Sequence, residues 1–276
     1  MLTIATLTFK EMLRKRILLI GALLTMAFLV LYGVALHYAG KELVRTGNPL
    51  IRLAVSSQLL SAGLYFSSFI LAFLSIFSAV GTISGEIENG TLQAIVPKPI
   101  PRQDIVLGKF LGYGCILAIY AGLLLSAVVI AGRVFLETPA SLELRALGLF
   151  ALEPLLLLAL TLLGTTLLST LANGVTMVML FVVGMVGGLV EQIGAMVKSS
   201  SMVNIGIATS LIMPADSIYR KATATLFGDA GNLLSASQLG PFSAASTPSL
   251  WMIVYAVIYL FATLSLAVRA FAKRDI

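Results

Sequence analysis

Apolar and polar positions along this chain fall into long uncharged runs separated by shorter charged segments. Four of the runs cover residues 17–36, 59–83, 110–132 and 250–268. About 20 predominantly apolar residues are enough for a helix to cross the hydrocarbon core of a bilayer. The pattern therefore predicts a membrane-spanning helix in each run. The first run follows a basic cluster at residues 14–16, as the core of a signal peptide does, but it is longer than such a core and further spans follow it.

A longer run requires a turn. Residues 154–190 contain no charged residue, and as one helix they would measure about 55 Å, nearly twice the thickness of a hydrocarbon core. The dipeptide Asn173-Gly174 is a turn signal near the middle of this run. We therefore predict two spans here, at about 146–172 and 174–190, which brings the total to six.

Composition supports this assignment. Hydrophobic residues make up 59% of the chain and charged residues 11%, whereas soluble domains average about 25% charged residues. The single cysteine, Cys115, and the single histidine, His37, argue against an intrachain disulfide, a cysteine-rich or histidine-rich metal centre and Ser-His-Asp catalysis. No Lys/Arg run is long enough to follow a phosphate backbone, so no nucleic-acid partner is expected. The predicted fold is an all-α membrane protein with six transmembrane helices in a single domain over residues 1–276.

The distribution of basic residues predicts an orientation. Six spans place the two termini, the 84–109 loop and the 173–174 turn on one side of the membrane. That side carries Lys10, Arg14, Lys15, Arg16, Lys98, Arg102, Lys109, Arg269, Lys273 and Arg274, out of 18 basic residues in all. Because cytoplasmic loops are enriched in Lys and Arg, we expect a multi-pass protein of the cell membrane with both termini in the cytoplasm.

Two segments outside the spans have helical features. Residues 1–16 combine apolar and charged positions in a way that fits an amphipathic helix lying in the membrane interface. The external loop 191–249 contains an apolar stretch at 202–214 that is too short to cross the bilayer. We expect this stretch to form re-entrant or interfacial helices.

The 84–109 loop is the main internal loop. Glu86 and Glu88 end a span, a glycine turn follows, and residues 91–95 suit a short apolar helix. Three prolines between residues 97 and 101 then impose an extended, stiff conformation. One interpretation is an ordinary loop with capping acids, and the other is a rigid docking element for a cytoplasmic partner.

The order of residues in this loop resembles that of a known family. The pattern comprises Glu86, Gly90, Thr91, Leu92, Pro99, Arg102, Gly108 and Lys109. Together with the six-span layout, the ending at 272–276 and the Lys10-Glu11 pair before the first span, it resembles ABC-type export permeases of the "type 2" class. The chain itself lacks an ATP-binding P-loop, because Gly108-Lys109 is followed by Phe110 and has no upstream glycine at the required spacing.

The resemblance implies a transporter permease that is not an enzyme and holds no cofactor, with ATP and Mg bound by a partner. The implied partners are two copies of a cytoplasmic ABC ATPase and a second permease copy, identical or closely related. The residues that the resemblance assigns to ATPase coupling are Glu86, Glu88, Asn89, Gly90, Thr91, Leu92, Pro99 and Arg102. The family exports drugs, lipids, lipid-linked glycans, peptides or ions, and nothing in the sequence selects among them.

Polar residues recur every seven positions in the second predicted span. They are Ser61, Ser68, Ser75 and Thr82. Small hydroxyl residues in such a row serve either close packing against another helix or the lining of a transport pathway. The glycines at 184, 187 and 188 predict a packing notch in the fifth span.

Glu153 is a further pathway candidate, because it is the one acid within a predicted span. If the fourth span begins near Ala146, Glu153 lies about 10 Å deep, where an ionisable residue suggests a functional role. If Pro154 begins the helix instead, Glu153 caps it at the surface.

The alternative function is a secondary transporter or channel that acts without an ATPase. Such proteins place several charged residues at mid-membrane for ion coupling, and the centres of these spans are nearly free of charge. A membrane enzyme is a weaker alternative, because the chain offers no nucleophile–base or metal constellation.

Overall fold

The computed structural model describes residues 1–46, 48–88, 90, 101–136, 138, 142–232 and 246–273. Within these ranges the chain is helical and forms no strand. The helices are α1 (Leu2–Arg14), α2 (Arg16–Thr46), α3 (Pro49–Ala79), α4 (Ser84–Glu88), α5 (Arg102–Leu136), α6 (Leu144–Leu167), α7 (Thr170–Val197), α8 (Ser200–Ile212), α9 (Ala215–Asn232) and α10 (Leu250–Lys273). Six of them, α2, α3, α5, α6, α7 and α10, are long and apolar enough to cross a bilayer. The predicted all-α fold with six spans is confirmed.

The spanning helices extend beyond the uncharged runs that predicted them. Helix α2 continues to Thr46 and carries an ion pair between Arg45 and Glu42 at 3.0 Å in its last turns. Helix α3 then begins at Pro49, where Asn48 caps it by accepting a hydrogen bond from Leu50 N at 3.0 Å. Charged residues are tolerated in these extensions because they lie at helix ends, outside the most apolar stretch. Absence of charge therefore marks the centre of a span and not its ends.

The turn between α6 and α7 lies earlier than predicted. Helix α6 ends at Leu167 and α7 begins at Thr170, so the predicted turn at Asn173-Gly174 is wrong. Asn173 lies in the first turns of α7, where its Nδ2 donates to Val80 O at 3.0 Å and to Thr161 O at 3.1 Å. The dipeptide that suggested a turn instead lets α7 pack closely against α3 and α6.

Helix α6 is the centre of the bundle. It contacts α3, α5, α7, α9 and α10, and four consecutive residues, 156–159, are each 0% exposed. Four successive positions cover the whole circumference of a helix, so α6 is surrounded by protein. Helix α2 is the opposite case, because many of its large apolar side chains, such as Leu23 and Leu31, are exposed.

One end of the bundle, which we call the α1 end, gathers segments that are distant in sequence. The amino group of Met1 lies 2.8 Å from Asp104 Oδ2 at the start of α5. Arg102 donates to Ala272 O at 3.2 Å, at the end of α10. The α1 end therefore comprises α1, α4, the start of α5 and the end of α10, and we call the opposite end the far end.

Helices α8 and α9 form a hairpin that enters the bundle from the far end. Helix α8 runs antiparallel along α7, with Met202 beside Gly194 and Met213 beside Gly184. Helix α9 then returns towards the far end, with Asp216 packed on Gly188. The predicted glycine notch of α7 is thus the surface that receives this hairpin. The re-entrant or interfacial position of these helices in a membrane stays a prediction.

Candidate functional site

Helix α1 docks in a glycine groove on α5. A Cβ atom added to Gly108 would lie 2.8 Å from Ile4 Cβ, and one added to Gly112 would lie 2.7 Å from Ala5 O. Only residues without a side chain allow helices to approach this closely. Gly108, which the sequence pattern singled out, therefore holds α1 against the start of α5. The interfacial position predicted for residues 1–16 stays a prediction.

The residue after this glycine carries a buried charge. Lys109 is 5% exposed, and its Nζ donates to Glu86 Oε1 at 2.6 Å and to Thr82 O at 2.9 Å. A buried ammonium group requires such compensation, because burial of an isolated charge is very costly. The pair joins α4 to α5, and it turns Glu86 towards the interior of the protein.

A second polar network joins α1 to the Lys109–Glu86 pair. Lys15 Nζ donates to Tyr113 Oη at 2.6 Å and lies 2.9 Å from Glu11 Oε1. Tyr113 in turn lies 3.4 Å from the hydroxyl of Thr82, whose carbonyl accepts from Lys109. Burial acts to lower the pKa of Lys15, but Tyr113 and Glu11 outweigh it, so the pKa lies above the usual value for lysine.

The structure describes only some of the residues predicted to couple to an ATPase. Asn89, Thr91, Leu92 and Pro99, together with the predicted helix at 91–95, lie outside the described residues. Gly90 has a φ of +68°, a left-handed conformation that favours glycine. Glu88 ends α4.

Two of the predicted coupling charges bind within the chain. Glu86 pairs with Lys109, and Arg102 donates to the carbonyls of Phe271 and Ala272 at the end of α10. An arginine there satisfies carbonyl groups that the helix itself leaves free and is favoured by the helix dipole. Sequence reasoning did not foresee these contacts, because each joins residues that are distant along the chain.

The hydroxyl row that begins in α3 and ends just after it, at Thr82, faces other helices of the same chain. Ser61, Ser68, Ser75 and Thr82 are all buried. Ser68 donates to Glu153 Oε1, and Ser75 donates to Pro154 O at 2.7 Å, so both bind α6. The hydroxyl of Ser61 has no hydrogen-bond partner among the described residues, but its backbone carbonyl accepts from Tyr219 Oη of α9 at 2.9 Å. This arrangement matches the packing interpretation of the row, and a role in lining a transport pathway stays a prediction.

Glu153 lies inside the protein. Helix α6 begins at Leu144 and contains Pro154 in its interior, so the interpretation in which Pro154 begins the helix is wrong. Glu153 lies about 13 Å along the axis from the start of α6 and is 1% exposed. Its Oε1 accepts from Ser68, whereas its Oε2 has no hydrogen-bond partner among the described residues.

A buried ion-pair cluster joins the hairpin to α7. Arg220 of α9 is 1% exposed; it donates to both carboxylate oxygens of Glu191, at 2.8 and 2.7 Å, and its Nε donates to Asp216 Oδ2 at 2.8 Å. Burial raises the pKa of Asp216 to about 6, although Arg220 acts in the opposite direction. Sequence reasoning missed this cluster, for which the spacing of Asp216 and Arg220 by four residues was the one local signal.

Comparison with known proteins points to one family. The chain matches the family described as ABC-2 family transporter protein over residues 2–276. It is 27% identical over 217 residues to the probable ABC transporter permease protein NosY of Stutzerimonas stutzeri, a match that covers 75% of this chain and 77% of that protein. It is 34% identical over 92 residues to the protein of the same name from Pseudomonas aeruginosa, covering 33% of this chain and 34% of that protein.

Proposed function

Because this chain belongs to the ABC-2 family of transporter proteins and is thus a membrane subunit of an ABC transporter, we propose that it forms the export pathway of that transporter. In this proposal two permease copies, identical or closely related, pair in the cell membrane. Two copies of a cytoplasmic ATPase, which bind the ATP and Mg, dock on the α1 end. Family membership supports an ATP-driven transporter over a secondary transporter or channel without an ATPase.

The observation that carries the proposal is the polar network of the α1 end. A transporter whose ATPase is a separate chain needs a segment that docks it and rigid links from that segment to the spans. Helix α4 leads directly into the segment after Glu88, and the Lys109–Glu86 pair at 2.6 Å links it to α5. Because Lys15, Tyr113 and Thr82 continue the network to α1, a displacement of α4 would move α1, α3 and α5 together.

The charged residues that follow Glu86 in the sequence of the loop are the proposed docking groups. Glu86 is a poor probe of docking, because its reversal to lysine would place a second positive charge beside the buried Lys109. Glu88 and Lys98 follow it in the same loop and are better probes. Charge reversals at the rim of an interface weaken association through like-charge repulsion and loss of electrostatic steering.

The experiment is co-purification of the tagged chain from its native membranes. We expect an ATP-hydrolysing subunit with a P-loop to co-purify, and we expect Glu88→Lys combined with Lys98→Glu to lower its yield several-fold. Glu143→Lys is the matched control, because Glu143 is exposed at the far end. Thermal unfolding of each variant verifies that the six spans remain folded. If no ATPase co-purifies, or if the loop variant and the control retain it equally, the proposed docking is wrong.

A further inference from the structure

A small cavity lies in the interior of the bundle, between α3, α6, α7 and α9. Its polar lining consists of Tyr65, Ser68, Glu153, Asp216 and Tyr219, and its apolar lining of Phe69, Phe181 and Met185. Its volume is about 10 Å³, which is the size of a single water molecule or a dehydrated ion of similar radius. The cavity is therefore a site for one small particle.

The polar side chains of this cavity leave one carboxylate oxygen unpaired. Glu153 is 1% exposed, and its Oε2 has no hydrogen-bond partner among the described residues. Buried polar atoms in proteins are almost always hydrogen-bonded, and an unpaired one calls for an explanation, such as a bound water molecule or ion. Ser68 satisfies only the other oxygen of this carboxylate.

The charges around the cavity are also out of balance. Among the described residues, three buried acids, Glu153, Asp216 and Glu191, lie in this region together with one buried base, Arg220. Arg220 is fully engaged by Glu191 and Asp216, and the lining includes no basic side chain. When Glu153 is ionised, no basic side chain of the described lining offsets its charge.

We propose that the cavity binds one monovalent alkali cation of about the size of Na⁺. The carboxylates of Glu153 and Asp216 and the hydroxyl groups of Ser68 and the two tyrosines would surround it. These are hard oxygen donors, which suit alkali and alkaline-earth ions and not soft metals such as Cu(I). Mg²⁺ usually retains several water ligands, for which the cavity has no room, and one positive charge would offset Glu153, the carboxylate of the lining that Arg220 does not contact.

The bound cation would join the α8–α9 hairpin to the core. Asp216 belongs to α9, Ser68 to α3 and Glu153 to α6, so a shared ion would hold three helices that are not adjacent in sequence. Binding to the folded state alone raises stability with ligand concentration. The site thus makes the stability of the protein depend on a specific cation, and this inference is independent of the proposed export function.

The test measures thermal unfolding of the purified full-length chain at mildly alkaline pH. Na⁺ concentration is varied over about two decades, with choline chloride holding the ionic strength constant and Ca²⁺ as a separate series. We expect the melting temperature to rise by about 2–4 °C for each tenfold increase in Na⁺ above the dissociation constant. Glu153→Gln, which keeps the oxygen that accepts from Ser68, should abolish this dependence.

Ser68→Ala and Ser67→Ala provide a matched pair if Glu153→Gln fails to fold. Both serines are buried in α3, but Ser67 donates to Gly63 O of its own helix at 2.8 Å and does not line the cavity. Ser68→Ala should raise the Na⁺ concentration needed for stabilisation several-fold, and Ser67→Ala should not. A melting temperature that is independent of Na⁺, an unchanged dependence in Glu153→Gln, or stabilisation by Ca²⁺ alone would overturn the proposal.

Discussion

At the scale of single residues, the described part of the chain buries two basic side chains, and carboxylates hold both. Lys109 is paired with Glu86 at the α1 end, and Arg220 is paired with Glu191 and Asp216 in the hairpin. Replacing only one partner of such a group leaves an uncompensated buried charge, which is far more costly than losing an exposed pair. These two clusters are therefore the positions where single substitutions should matter most.

Arg220→Ala should destabilise the protein strongly. Glu191 and Asp216 would remain buried as unpaired carboxylates, and removing one partner of a buried pair typically costs about 3–5 kcal/mol of unfolding free energy. The measurement is thermal unfolding together with the yield of monodisperse protein. Arg45→Ala is the control. The side chains of Arg45 and Glu42 are 77% and 71% exposed, so their ion pair should contribute little to the free energy of unfolding. Equal melting temperatures for the two variants would contradict a structural role for the cluster.

At the scale of helices, sequence patterns located the spans but not the helices against which each span packs. The six spans were predictable because apolar length is a local property. The turn after α6 was not, because Asn173 is satisfied by the carbonyls of Val80 and Thr161 on two other helices. The helical character of residues 2–14 was likewise visible in their pattern, whereas the groove that receives α1 depends on the relative placement of α5.

Gly112→Leu should release α1 from α5. The new side chain would collide with the backbone of Ala5 and with Thr8, whose Cβ lies 2.7 Å from the position of an added Cβ. In a Cys115→Ser background, Thr8→Cys reports docking, because Thr8 is 4% exposed and a cysteine there should resist a soluble thiol reagent. We expect Gly112→Leu to make it reactive.

Gly148→Leu is the control for this experiment, because nothing lies within 4 Å of an added Cβ at Gly148. The cysteine at position 8 should stay protected in that variant. Protection that persists in Gly112→Leu would show that the glycine groove does not hold α1.

At the scale of the whole molecule, the contacts at the α1 end bring the start of α1 and the end of α10 to the same end of the bundle. Met1 lies beside Asp104, and Arg102 contacts the last turn of α10. An even number of spans returns the chain to the side on which it began, and this arrangement agrees with six spans. The side of the membrane on which this end lies depends on the distribution of Lys and Arg, which favours the cytoplasm.

A reporter fused after Ile276 should therefore be located in the cytoplasm. We expect a fluorescent protein that matures only in the cytoplasm to be bright at this position, and alkaline phosphatase, which is active only outside, to be inactive. A phosphatase fused to a chain truncated after Thr46, at the end of the first span, should be active. The reverse pattern would invert the topology and remove the 84–109 loop from reach of a cytoplasmic ATPase.

The docking of α1 on α5 constrains the order in which the helices assemble during synthesis. Helix α1 leaves the ribosome long before its groove exists, because Gly112 is synthesised 104 positions after Thr8. At translation rates of about 5–20 residues per second, roughly 5–20 s separate the two. During that interval α2 and α3 are synthesised, and α1 has no groove to occupy. The α1 end is complete only after Ala272 at the end of α10, which contacts Arg102, has also been made.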